Sequence, residues 1–189
     1  SLPLLLFIII PILSLFLRAS PADVLRSLHE EQVNQAISLS FSSSLVCTLL
    51  TLLFGTPISY SLATRNFHAY SIIDTIIDLP TVLPPSVAGV ALLMAFGRNG
   101  LIGSYLAKMG ITIPFTFFAV VMAQMFIASP FYIKSAALGF SKIEKQLIQA
   151  AELDGANRWQ IFRYIYLPLS GKAILSGCVM TWARALGEF

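Results

Sequence analysis

The sequence predicts an all-α fold, a bundle of helices that crosses a membrane several times, and two observations lead there. Of the 189 residues 57% are hydrophobic and 11% charged, against about 25% charged in ordinary soluble domains. The apolar residues also fall in long runs separated by shorter polar stretches, the pattern of a chain whose helices are solvated by lipid. The longest polar stretch, 140–166, itself reads as helix and draws attention as a functional element.

Five runs have about the ~20 residues that cross a bilayer: 2–17, 36–63, 76–96, 115–137 and 169–189. The first lacks a basic flank and a small-residue cleavage site, so it reads as a clipped first span rather than a signal peptide. The chain opens at Ser1 without Met and stops at Phe189 without a polar tail, and is expected to be a piece of a longer protein. The second run holds Ser42, Ser43, Ser44 and Thr48, small polar residues that either pack helices together or line a path. Pro84 and Pro85 put a kink or re-entrant turn early in the third run; with Ser86 and Gly89 they are candidates for a gate or for a simple bend. Gln124 and Ser129 in the fourth run carry the same two readings, pathway or packing. In the fifth run Arg184 and Glu188 are opposite charges one helical turn apart, an intramembrane ion pair with a structural or a functional role. All 189 residues read as one transmembrane domain.

The polar stretches set the topology. The stretch 18–35 has two Arg against three acids, and 97–114 holds only Arg98 and Lys108 as cations. The alternate stretches hold Arg65 in one case, and Lys134, Lys142, Lys145, Arg158, Arg163 and Lys172 in or beside the other. The positive-inside rule therefore places 140–166 in the cytoplasm. The net charge of +3 is small and interspersed between spans, which argues against nucleic acid. Cys47 and Cys178 lie within apolar runs as small hydrophobes, and His29 and His68 stand without metal-spaced neighbours, so neither a disulfide nor a metal site is expected.

Within 140–166, residues 142–153 are good helix formers, and Asp154-Gly155 supplies a stop at which Gly takes the left-handed conformation. A second amphipathic stretch follows, with Trp159, Phe162 and Ile165 at helical spacing and Arg158 and Arg163 able to face phosphate head groups. Leu167-Pro168 then opens the next span.

The residues Gln149-Ala150-Ala151, three residues, Gly155, nine residues, Ile165, one residue, Leu167-Pro168 resemble the signature loop of ABC importer permeases, Glu-Ala-Ala-x3-Gly-x9-Ile-x-Leu-Pro. The departure is Gln149 in place of Glu. The resemblance implies that Gln149, Ala150, Ala151, Glu152, Asp154, Gly155 and Ala156 form a cytoplasmic coupling helix docking on a separate ATP-hydrolysing subunit. Further partners it implies are a second permease copy, most simply a homodimer, and an external oxyanion-binding protein, in the inner membrane. Residues 78–93 and the closing Arg184-Ala185-Leu186-Gly187-Glu188-Phe189 resemble the molybdate/tungstate and sulfate permease families. The link 96–103 and the final Phe189 look closer to the molybdate/tungstate group.

The sequence has no Gly-x4-Gly-Lys-[Ser/Thr] phosphate loop, no Gly-x-Ser-x-Gly elbow and no His-Glu-x-x-His motif, so no cofactor is expected in this chain and ATP with Mg belongs to the partner. A transport subunit, not an enzyme, is the expectation. Its rival, an ion-coupled secondary transporter, calls for further titratable residues inside the spans, where the sequence offers Arg184 and Glu188.

Overall fold

The computed structural model describes residues 2–18, 20, 26–64 and 70–188; Arg65, His68 and Phe189 lie outside them. Contacts divide the chain into two compact units, 1–40 and 41–189, at a point the sequence does not mark.

In the first unit, helix α1 (Leu2–Arg18) accommodates Pro11, with the Ser14 hydroxyl donating to the Pro11 carbonyl at 2.7 Å. Its described side chains are exposed along the whole helix, apolar on every side. Helix α2 (Glu31–Thr64) begins in this unit, where the Gln35 amide donates to the Glu31 carboxylate at 3.2 Å.

The second unit holds α2 from Phe41 onward, α3 (Tyr70–Val82), α4 (Pro85–Phe96), the short α5 (Gly103–Lys108), α6 (Phe117–Ser141) and α7 (Lys145–Leu153). Helix α8 (Arg158–Ile161) runs through a π-helical turn, Phe162–Tyr166, and α9 (Leu167–Leu169) into α10 (Gly171–Leu186). Along α2 the buried positions are Ser43, Ser44, Cys47, Thr51, Gly55, Ser59 and Leu62, a single face at helical spacing. Leu45, Leu49, Leu53 and Phe54 point outward instead, each more than half exposed. Small residues inside and large apolar ones outside is the arrangement of helices in lipid, where close backbone approach replaces the hydrophobic drive.

Tyr132 of α6 shows how close that approach is. A Cβ on Gly55 of α2 would lie 2.8 Å from its Cδ1, and one on Gly177 of α10 would lie 3.1 Å from its Cδ2. Its hydroxyl sits 2.6 Å from Thr56 Oγ1. Hydroxyls bind α10 to α6 further along: Ser135 donates to the Ala173 carbonyl at 2.8 Å and Thr181 to the Ala128 carbonyl at 3.2 Å.

The five expected spans are realised unequally among the described residues. Helices α2 and α6 are long and apolar enough to cross a membrane. The third run, expected to carry a kink or a re-entrant turn at Pro84 and Pro85, forms two short helices, α3 and α4, meeting at 116° there, a broken span or a re-entrant loop. Pro84 and Pro85 offer no N–H to continue α3. The Leu83 N–H still reaches the Leu79 carbonyl at 3.3 Å, while the Val87 and Ala88 N–H groups turn to the Pro84 carbonyl at 2.9 and 3.0 Å and start a new axis. The first and last runs give helices of 17 and 16 residues, short of the ~20 that span a bilayer unaided.

Candidate functional site

The loop between α6 and α10 is built as a rigid corner. Helix α7 begins at Lys145, later than the expected Lys142, because Lys142 caps α6 and Glu144 is extended at the N-cap. It ends in a Schellman motif: the Gly155 N–H donates to the Glu152 carbonyl at 3.1 Å and the Ala156 N–H to the Ala151 carbonyl at 2.9 Å, with Gly155 at φ +85°. That conformation is costly for any residue with a Cβ, and Gly is what the motif asks for. One residue later Asn157 starts α8 with a capping box. Its side chain accepts from the Gln160 N–H at 2.9 Å and its own N–H donates to Gln160 Oε1 at 2.8 Å. With only Ala156 between the two motifs, the angle between α7 and α8 has little freedom.

The two arms of this corner differ. Helix α7 has no buried residue. Gln149, Ala150, Glu152, Asp154 and Gly155 are exposed, Ala151 and Ala156 half-buried, and Leu153 is 89% exposed. After the corner, Ile161 is buried and Phe162 and Tyr166 join an aromatic cluster. The Tyr60 ring of α2 meets Phe162 and Tyr166 with centroids 5.0 Å away, and Phe140 at the end of α6 at 6.1 Å, all edge to face. Burial first, then Tyr60 and the Glu152 carboxylate, push the Tyr166 phenol above its usual range. Trp159 stacks on Phe162 at 5.7 Å while remaining 64% exposed, and Arg158 and Arg163 are exposed beside it.

The pathway candidates separate. Pro84, Pro85, Ser86 and Gly89 line the break between α3 and α4, all exposed, and Ser129 is half-buried. Gln124 is fully buried, its amide donating to Ser43 Oγ at 3.0 Å and to the Ala185 carbonyl at 3.1 Å, so it binds α2, α6 and α10 to one another. Arg184 pairs with Glu188 at 2.5 Å as its spacing anticipates, with the Glu188 carboxylate nearly buried.

A second charged set was missed. Lys134 lies inside α6 rather than in the loop, its Nζ 2.5 Å from Asp74 Oδ1 and 2.9 Å from Asp78 Oδ2 on α3. Arg184 and Glu188 are therefore not alone within the apolar helices. The available signal was a cation in one apolar run and two acids one turn apart at the edge of another, each needing a partner in lipid.

An all-helical chain with lipid-facing apolar surfaces and a rigid polar corner leading into its helices has the build of a membrane transport subunit. It belongs to the family of binding-protein-dependent transport system inner membrane components, whose pattern matches residues 55–189. That is the family of ABC importer permeases, inner-membrane transport subunits and not enzymes. The molybdenum transport system permease protein ModB of Haemophilus influenzae is 40% identical over 155 residues, covering 82% of this chain and 68% of the relative. The molybdate/tungstate transport system permease protein WtpB of Thermococcus kodakarensis is 36% identical over 187 residues, covering 98% and 70%. The probable transport system permease protein NifC of Clostridium pasteurianum is 34% identical over 183 residues, covering 96% and 64%. The chain thus spans about two thirds of the length of these curated relatives. In fold it is similar to a chain in the crystal structure of a bacterial alginate ABC transporter in complex with its alginate pentasaccharide-bound periplasmic protein. The TM-score is 0.58 at 18% identity, covering 90% of this chain and 68% of that one.

Proposed function

We propose that this chain carries molybdate or tungstate across the inner membrane by alternating access, paired with a second copy, loaded by an external oxyanion-binding protein and driven by separate ATPase subunits. The observation that carries the reading is the corner at Gly155. A mostly exposed stretch, Gln149 to Ala156, with small residues at Ala150, Ala151, Gly155 and Ala156, is available to a partner on one side and joined on the other to an aromatic cluster seated on α2 and α6. A push on α7 then moves the ends of two long helices instead of being absorbed in the loop. The basic residues Lys142, Lys145, Arg158 and Arg163 put this corner on the cytoplasmic side, where ATP is available.

The oxyanion reading is supported by the relatives whose names specify molybdate, tungstate or molybdenum. The chain's own chemistry suits passage over capture. In α2, α3, α4 and α6, and in α10 past its first turn, the cations are Lys134 and Arg184, and carboxylates neutralise both. No free intramembrane cation among the described residues is left to hold an anion tightly, so selection falls to the external binding protein.

The test is uptake into proteoliposomes holding the full-length permease, its ATPase and its binding protein. Molybdate or tungstate accumulation that needs ATP and the binding protein is expected, with sulfate excluded. Accumulation driven by an ion gradient without ATP, or sulfate taken up in preference, would overturn the reading.

A further inference from the structure

The half-helix α3 has little apolar packing to hold it in place. Pro80 is its one buried residue among those described, Ile73 and Ile77 touch the core in part, and Ile72, Ile76, Leu79 and Val82 are all more than half exposed. Its specific attachment is electrostatic. Asp74 and Asp78, one turn apart, both receive the Lys134 ammonium from α6. Without that cation the two carboxylates would repel each other along one helix face. Open clefts of about 460 and 430 Å3 flank the triad, one lined with Leu62, Ala63 and Asp74 and the other with Asp78, Thr81 and Phe131; Lys134 and Leu138 line both. Interiors that are close-packed resist displacement; beside these open clefts α3 is tied to α6 by the ions.

The position of the triad gives this attachment a direction. Lys134 lies about two turns before the end of α6, and α6 leads through Lys142, Ile143 and Glu144 straight into α7. At its other end α3 stops at the 116° break before Pro84. The charges therefore stand between the cytoplasmic corner and the Pro84 break.

We infer that Lys134, bridging Asp74 and Asp78, is a positioning residue for transport: it latches α3 to α6, so that displacement of the coupling corner is delivered to the Pro84 break. The inference rests on the coupling role proposed for the Gly155 corner, and its test separates the two. The whole complex is reconstituted in proteoliposomes with wild-type chain, Lys134→Arg, Lys134→Met, the fully neutral Lys134→Met/Asp74→Asn/Asp78→Asn, and Gly155→Val as a control. Binding-protein-stimulated ATP hydrolysis and molybdate uptake are read together. The neutral triple variant leaves no charge uncompensated, so it keeps the test decisive where the single substitution does not assemble. It is expected to hydrolyse ATP within about twofold of wild type while uptake per ATP falls about tenfold, the size of common coupling effects, and Lys134→Arg is expected to retain coupling. Wild-type uptake per ATP in the triple variant overturns the latch. A raised KM for molybdate at unchanged uptake per ATP also overturns it, because Lys134 would then be meeting the anion. If Gly155→Val alone keeps full coupling, the corner reading fails and the latch loses its input.

Discussion

The two arms of the loop between α6 and α10 differ in composition and in situation: Lys145–Leu153 has no aromatic residue, and the stretch 158–166 holds Trp159, Phe162, Tyr164 and Tyr166. Helix α7 is exposed along its length and carries its apolar Leu147 and Leu153 into the open. The segment from α8 through Tyr166 has its rings seated among Tyr60 and Phe140. Between them stand a Schellman motif and a capping box separated by Ala156. The difference teaches what the proposed coupling asks of one loop: one arm exposed and available to another protein, the other committed to the chain, and a corner between them. A helix of this length with no buried residue is poorly stabilised by itself, and the proposed docking would complete its stability.

The largest effect is expected where the committed arm is broken. Tyr60→Ala removes the ring shared by three edge-to-face contacts and should cost roughly 2 kcal/mol, less than a fully buried ring, read as a lower melting point of the purified permease in detergent. An unchanged melting point would mean the cluster does not anchor the loop. The free arm should answer differently. Ala150→Trp ought to leave melting unaltered, yet weaken co-purification of the ATPase about tenfold through overpacking at a close contact; normal association of both subunits would place the docking face elsewhere. At the corner itself, Asn157→Ala removes the capping box and is expected to cost about 1 kcal/mol, read as earlier proteolysis of the loop with the membrane helices intact. The smallest change is Gln149→Glu, which restores the acid of the family pattern on an exposed face. Stability should stay within about 0.5 kcal/mol, and a tenfold gain in ATPase binding would show that Gln149 detunes the docking surface.

The sequence reading succeeded where structure is local. Gly155 with its left-handed φ and the Arg184–Glu188 pair follow from spacing along one helix or one turn. It failed where partners are distant. Lys134 and Asp74 are sixty residues apart, and nothing in either run names the other. Periodicity gave Phe162 a face of a helix but could not supply Tyr60 and Phe140, which come from two other helices. The 116° break lies between: Pro84 and Pro85 mark where the chain changes direction, but hydropathy does not register the size of the angle. Gln124 shows a further limit, since its amide nitrogen reaches Ser43 and Ala185 on two other helices, partners that no spacing along the chain names.

The central claim is that the angle held at Gly155 couples ATP hydrolysis to transport, and one pair of substitutions tests it. A Cβ at Gly155 meets no neighbour within 4 Å, so Gly155→Val acts through backbone strain at φ +85°, on the order of 1 kcal/mol or more. Gly155→Asn tolerates the left-handed region far better. Uptake and ATP hydrolysis are measured together in proteoliposomes of the complete complex. The Val complex is expected to assemble and to hydrolyse ATP without accumulating molybdate, and Asn is expected to restore accumulation most of the way. Full accumulation per ATP in an assembled Val complex would contradict the claim.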